Sequence, residues 1–145
     1  MTKKKAEKKA RLNGNTLRNH ANRTIDDLAS ANNNTSISVV NWDKIEETAE
    51  YKQSYNDIIN LYNTDKKFLE DANLTTKQVL KITDEESLKE GVQYLLEELS
   101  FIMASPKIYN QNVVYIYHRE WLIFENMINK KYAIETENLG FLIVK

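Results

Sequence analysis

Apolar positions recur along the chain with two different periods, and the switches between them divide it into elements. Near the start, Ala6, Ala10, Leu17, Ala21, Ile25 and Leu28 recur at spacings of three, four and seven, the trace of a helix with one buried stripe. Asn13-Gly14-Asn15 is a weak point where that helix can bend or break, since glycine costs about 1 kcal/mol in a helix relative to alanine. A polar loop at 31–35 precedes Ser36-Ile37-Ser38-Val39-Val40, which alternates as a short strand does. The pattern is then helical from Asp43 to about Asn63, with Asp43 placed to cap, and again from roughly Asp65 to Lys81. Thr83-Asp84-Glu85-Glu86 opens the strongest helix, whose stripe of Leu88, Val92, Leu95, Leu96, Leu99 and Ile102 is expected to end at Ser105-Pro106. Val113 to Tyr117 reads as a buried strand, Trp121 to Asn129 as a helix, and Phe141 to Val144 as a last short strand. Alternating helix and strand predicts one α/β domain over residues 1–145, with a mostly parallel sheet under helical cover and helix predominating.

Composition narrows the classes without naming one. The 145 residues are 41% hydrophobic and 28% charged, ordinary values for a globular chain. The longest apolar runs are about five residues, far short of the roughly twenty that span a bilayer, so no membrane partner is expected. The lysine-rich start lacks the apolar stretch of a secretory signal, which favours a cytoplasmic location. With no cysteine and two histidines, disulfides, thiolate zinc sites and a cysteine nucleophile are excluded, and no metal site is expected. Three glycines cannot build a glycine-rich phosphate loop.

Charge changes the picture more. Residues 1–23 carry Lys3, Lys4, Lys5, Lys8, Lys9, Arg11, Arg18 and Arg23 against Glu7 alone, a net +7, so the remainder carries −8 of the overall −1. A one-signed segment on a helix attracts polyanions, of which a phosphate backbone is the natural one. A solvated tail is the plain alternative.

Two short patterns could carry chemistry. Tyr94 and Glu98, four apart on the strongest helix, project from one face, where a phenol and a carboxylate can hold an ammonium or relay a proton. Tyr117-His118-Arg119 follows a strand and precedes a helix, the place where open α/β sheets put ligands. His118 can act as acid or base near neutral pH, or be a hydrogen-bonded histidine at a strand end. On residues alone the reading stops at an α/β domain with a basic helix.

Taken together, GVQYLLEELSFIMASP and VVYIYHREW resemble the C-terminal half of tRNA-dependent cyclodipeptide synthases. That family carries Y-x-x-x-E on a helix running to an S/A-P, then a strand ending in a Tyr-His pair; Tyr94, Glu98, Pro106, Tyr117 and His118 occupy those places. The opening KKKAEKKARLNGNTLRNHANRTI is similar to the family's basic helix, over residues 1–30, and GFLIVK to its last strand. The resemblance implies a Rossmann-like domain similar to the catalytic domains of tyrosyl- and tryptophanyl-tRNA synthetases, working without cofactor. It implies aminoacyl-tRNAs as partners: an aminoacyl group passes to a serine, a second aminoacyl-tRNA attacks it, and the dipeptide cyclises to a diketopiperazine. By the same resemblance Tyr94 and Glu98 hold the α-ammonium, Tyr117 relays the proton with His118 in support, and the eight basic residues dock the tRNA. Phe101 and Tyr115 flank these motifs as an aminoacyl pocket suited to an apolar side chain such as leucine.

The family's nucleophile is a serine after the first strand, in a Gly-x-Ser context, and no such segment precedes the basic helix in these residues. The expectation is therefore a C-terminal portion, truncated at its N-terminal side and inactive by itself, since an acyl-enzyme reaction needs the group that is acylated. An unpaired sheet edge should leave it marginally stable and prone to self-association, or able to dock a separately encoded N-terminal fragment. The alternative function is a non-catalytic RNA- or tRNA-binding remnant or regulator, whose binding depends on salt and not on Tyr94 or Glu98.

Overall fold

The computed structural model describes residues 12, 16–27, 40 and 42–144; the chain divides into two units, Met1–Trp42 and Asp43–Lys145. In the first unit, residues 16–27 form helix α1. Ala21 and Ile25 on it are half-buried but Leu17 is 69% exposed, so the expected buried stripe is interrupted there. The weak point at 13–15, the loop at 31–35 and the strand at 36–40 fall outside the described residues, except Val40, which has no regular structure.

From Trp42 onward the order is α2 (Trp42–Glu46), α3 (Ala49–Thr64), α4 (Lys66–Leu80), α5 (Glu85–Tyr109), β1 (Val113–Tyr117), α6 (Leu122–Ile128) and β2 (Leu139–Ile143). The one helix expected from Asp43 is therefore two, and its cap is not Asp43. Thr48 breaks it: its hydroxyl donates to the Ile45 carbonyl at 2.6 Å and accepts the Tyr51 N–H at 3.2 Å, closing α2 and opening α3. Asp65 makes the next junction in the same way. Its backbone N–H closes α3 on the Leu61 carbonyl at 2.8 Å, and its carboxylate caps α4 through the Phe68 N–H at 3.0 Å.

Helix α5 begins at the Asp84 cap, whose carboxylate accepts the Ser87 N–H at 2.8 Å. It does not stop at Pro106 as expected but runs on to Tyr109. Proline cannot donate to the carbonyl four residues back, which here belongs to Ile102. The Ser105 hydroxyl donates to that carbonyl instead, at 2.8 Å, and accepts a hydrogen bond from the Tyr115 phenol at 3.0 Å. The helix therefore survives its proline, and the same serine ties it to β1. The αL residue Asn110 then terminates it.

Helices α3 and α4 pack on α5, and α4 also meets α6. Ile58, Phe68, Leu99, Ile102, Ile123 and Met127 are the largest apolar side chains sealed between these elements. Asp71 on α4 is buried among them, and one carboxylate oxygen accepts from Tyr132 OH (2.7 Å), Asn126 Nδ2 (2.9 Å) and Lys67 Nζ (3.1 Å). That oxygen joins α4 to α6 and to the loop after it.

Among the described residues the sheet has two strands, β1 and β2, parallel and in register from Val113↔Leu139 to Tyr117↔Ile143. A parallel pair needs a crossover, which α6 supplies. The fully buried strand expected at 113–117 is instead half-buried. Val113, Tyr115 and Tyr117 face inward beside Leu139 and Phe141, while Val114 and Ile116 are 61% and 67% exposed on the other face.

Candidate functional site

Tyr94 and Glu98 lie one turn apart on α5, and Tyr117 ends β1; helix and strand are held to each other at the Ser105–Tyr115 bond. Glu98 is half-buried, and loss of solvent alone pushes its carboxyl above the usual range. Its field then reaches three phenols. Tyr94, Tyr115 and Tyr117 are each raised first by desolvation and then, among other causes, by the Glu98 carboxylate, with the Ser105 bond opposing the shift for Tyr115. Tyr94 is 67% exposed, so solvent screens its shift more than the others. The two sequence patterns thus converge electrostatically on one carboxylate.

Tyr117 sits in an aromatic cluster, its ring centroid 4.9 Å from Phe124, 5.8 Å from Trp121 and 5.9 Å from Phe141. Trp121 and Phe124 stack at 10° and 5.2 Å, which fixes the plane of the indole. His118 is exposed beyond the strand end, where its Nε2 accepts from Arg119 Nε at 3.3 Å. Phe101 and Tyr115 meet edge to face at 6.3 Å.

Two cavities border this constellation. A recess of about 40 Å³ between α4 and α5 is lined by Thr75, Thr76, Val79, Leu80, Gly91, Tyr94, Leu95, Glu98 and Trp121. A cleft of about 330 Å³ beyond the strand ends is lined by Tyr117, Trp121, Phe124 and Phe141 with Arg119, Glu120 and Glu125 among its polar residues. Trp121 belongs to both; Phe101 and Tyr115 line neither. Thr75 and Trp121 were not singled out from sequence. The available signal was a Thr75-Thr76 pair on the buried face of α4, where aliphatic residues are the rule.

Of the basic residues, Lys3, Lys4, Lys5, Lys8, Lys9 and Arg11 fall outside the described residues, while Arg18 and Arg23 stand on α1. Ser100 and Ser105 are buried, and their hydroxyls donate to the carbonyls of Leu96 and Ile102 at 2.6 and 2.8 Å, which leaves neither as an accessible nucleophile. Among the described residues no group of three or more histidine or acidic side chains is gathered to hold a metal ion, and no helix is long and apolar enough to cross a membrane.

A family model described as cyclodipeptide synthase matches residues 1–145. The cyclo(L-leucyl-L-leucyl) synthase of Staphylococcus haemolyticus is 26% identical over 132 residues, covering 82% of this chain and 56% of that protein. The chain thus spans about half the length of this curated relative. A solved cyclodipeptide synthase structure from Staphylococcus haemolyticus superposes with a TM-score of 0.64 at 27% identity, over 70% of this chain and 50% of that one. A crystal structure of a cyclodipeptide synthase from Bacillus thermoamylovorans reaches 0.79 at 24% identity over 100% of this chain and 66% of that one, a likeness of fold alone. The mostly helical α/β architecture with its small parallel sheet is the Rossmann-like, synthetase-like fold that the sequence led us to expect.

Proposed function

The chain belongs to the cyclodipeptide synthase family, and from that premise we propose that it supplies the aminoacyl-holding and proton-moving side of diketopiperazine formation from aminoacyl-tRNAs. The observation that supports this reading most is the reach of one desolvated carboxylate, Glu98, to Tyr94 on its own helix and to Tyr117 on the neighbouring strand. A half-buried carboxylate with no compensating cation among the described residues is unfavourable by itself and favourable once an ammonium arrives, which suits Glu98 and Tyr94 to hold an α-ammonium.

Tyr117 has its phenol raised well above neutral pH by burial, so it works as a relay and not as a base. In the closing step the free amine attacks the ester carbonyl, the C–N bond forms and the serine C–O bond breaks. A proton leaves that nitrogen and one reaches the departing oxygen. Tyr117 donates to the oxygen as it receives from the nitrogen, and His118 beside it supports the transfer, which puts the chain in the Tyr-His branch. Phe101 and Tyr115 favour an apolar side chain on one aminoacyl group, in keeping with the leucyl groups in the name of the Staphylococcus haemolyticus relative. Lys3, Lys4, Lys5, Lys8, Lys9, Arg11, Arg18 and Arg23 dock the tRNA through its phosphates, in the cytoplasm where charged tRNA is made.

The Gly-x-Ser context that the resemblance assigns to the acylated serine does not occur in these 145 residues, so by themselves they are expected to release no product. The test is mass spectrometry of cyclodipeptides from cells expressing the chain with and without its flanking coding sequence. Product from the longer form, lost on Tyr94→Phe, Glu98→Ala or Tyr117→Phe, supports the reading. Salt-dependent tRNA binding without product in either form would replace it with a non-catalytic RNA-binding role, and product from the short form would refute the account of the nucleophile.

A further inference from the structure

The cleft beyond the strand ends is built by one face of α6. Trp121, Phe124, Glu125, Ile128 and Asn129 line it at spacings of three, one, three and one, the period of a single helical face and its caps. Tyr117 and Ile143, the last residues of β1 and β2, complete it. It therefore lies at the carboxyl ends of parallel strands, where open α/β sheets hold their ligands.

Its aromatic residues are ordered before any ligand arrives. Phe124 stacks on Trp121 at 5.2 Å and 10° and on Phe141 at 5.1 Å and 13°, so the three rings share nearly one orientation. Phe124 is sealed at 4% exposure, whereas Trp121 and Phe141 both line the cleft and keep accessible surface. Arg119, Glu120, Glu125 and Asn129, all exposed, add polar groups, and the surface that the cleft presents is mixed, apolar in its larger part.

That mixture discriminates between ligands. An alkyl side chain would cover the rings and leave the polar residues unmatched. A nucleobase meets both, because its faces stack on aromatic rings while its edge carries donors and acceptors for a carboxylate, an amide or a guanidinium. About 330 Å³ stands at the lower end of small-molecule sites, the size of one nucleoside. Arg119, tethered to His118 through Nε at 3.3 Å, keeps its terminal nitrogens for a phosphate. Two carboxylates against one guanidinium oppose a triphosphate and tolerate a monophosphate.

Tyr117 belongs both to this cleft and to the constellation around Glu98. On the aminoacyl reading, the aminoacyl carbonyl is held within reach of Tyr117, and in a charged tRNA that carbonyl is esterified to the ribose of the terminal adenosine. We propose that the cleft binds this terminal adenosine, with its base on the aromatic wall, its exocyclic amine donating to Glu120 or Glu125, and its phosphate on Arg119. The inference rests on the aminoacyl reading of Tyr94, Glu98 and Tyr117, and adds to it the nucleoside that delivers the aminoacyl group.

The experiment titrates the 145-residue chain carrying Trp42→Phe, in which Trp121 is the one tryptophan left, with adenosine, AMP, uridine and ATP while its fluorescence is followed. Adenosine is expected to quench Trp121 saturably and to bind roughly fivefold or more tightly than uridine, whose smaller ring has no exocyclic amine. AMP should bind roughly tenfold more tightly than adenosine, and ATP more weakly than AMP. Arg119→Ala, an exposed change that leaves the core untouched, should abolish the advantage of AMP and leave adenosine binding as it was. In parallel, saturation-transfer NMR follows L-leucine methyl ester, which carries the aminoacyl part without a nucleoside. Binding of the ester without adenosine, or equal binding of adenosine and uridine, overturns the adenosine site and leaves the aminoacyl reading intact. ATP binding as tightly as AMP assigns the cleft to a free nucleotide and overturns the proposal. Binding of adenosine without the ester overturns the aminoacyl reading and with it the assignment to a charged tRNA, and failure of both ligands overturns both.

Discussion

Ser105→Ala tests whether one hydroxyl lets α5 pass through its proline. In the parent, Ser105 Oγ donates to the Ile102 carbonyl at 2.8 Å and accepts from the Tyr115 phenol at 3.0 Å, and the serine is fully buried. Removing the hydroxyl leaves the carbonyl with no α-helical donor, since position 106 is proline and has no N–H. An unsatisfied buried carbonyl costs about 1–3 kcal/mol, and the half-buried Tyr115 donor adds about 0.5–1 kcal/mol, so the expected loss is about 1.5–4 kcal/mol. That is a large part of the stability of a domain this size. Urea unfolding followed by circular dichroism at pH 7 measures it, with the slope unchanged if both proteins unfold in two states. The decisive comparison repeats Ser105→Ala in a Pro106→Ala background, where residue 106 regains the N–H that the Ile102 carbonyl needs. The cost of removing the hydroxyl should then fall by about 1 kcal/mol or more. Equal costs in the two backgrounds would refute the argument, because the hydroxyl would not be compensating for the proline.

Two further outcomes follow from the ionisable groups. Glu98→Gln should unfold at higher urea concentration than the parent at pH 7: the Glu98 pKa is raised on folding by desolvation, so its charge opposes folding above the unfolded carboxyl pKa. The advantage should shrink as pH falls through the raised folded pKa and vanish below the unfolded value, and an advantage independent of pH would contradict this. Tyr132→Phe keeps the ring that packs edge-on against Phe68 at 5.0 Å but removes the 2.7 Å bond to Asp71, for a loss of about 1.5–3 kcal/mol at neutral pH. Although burial alone would raise it, the Asp71 carboxyl is held below its usual range by Tyr132, Lys67 and Asn126, so this stabilisation is present above the unfolded pKa and lost as pH falls through the folded one. Urea titrations at pH 7 and in acid should show the difference between the two proteins narrowing, and a constant difference would count against it.

The one-dimensional pattern carried most of the helices. The stripe from Leu88 to Ile102 needs only its own period to define α5, and Tyr94 and Glu98 were legible as a pair because they sit at a fixed offset within that helix. Junctions were less legible. Thr48 splitting the helix expected from Asp43, and Ser105 carrying α5 past Pro106, depend on whether one hydroxyl finds a particular carbonyl, which no local propensity encodes. The open face of β1 follows from what lies against it, so Val114 and Ile116 look as core-forming in sequence as Tyr115 and Tyr117 do. Thr75 and Trp121 are 46 positions apart, and only the packing of α4 against α5 and α6 makes both residues line the recess beside Glu98. Sequence therefore determined the elements and the reactive residue types, because those depend on near neighbours along the chain. Tertiary structure decided which polar groups are desolvated together, because burial depends on neighbours in space.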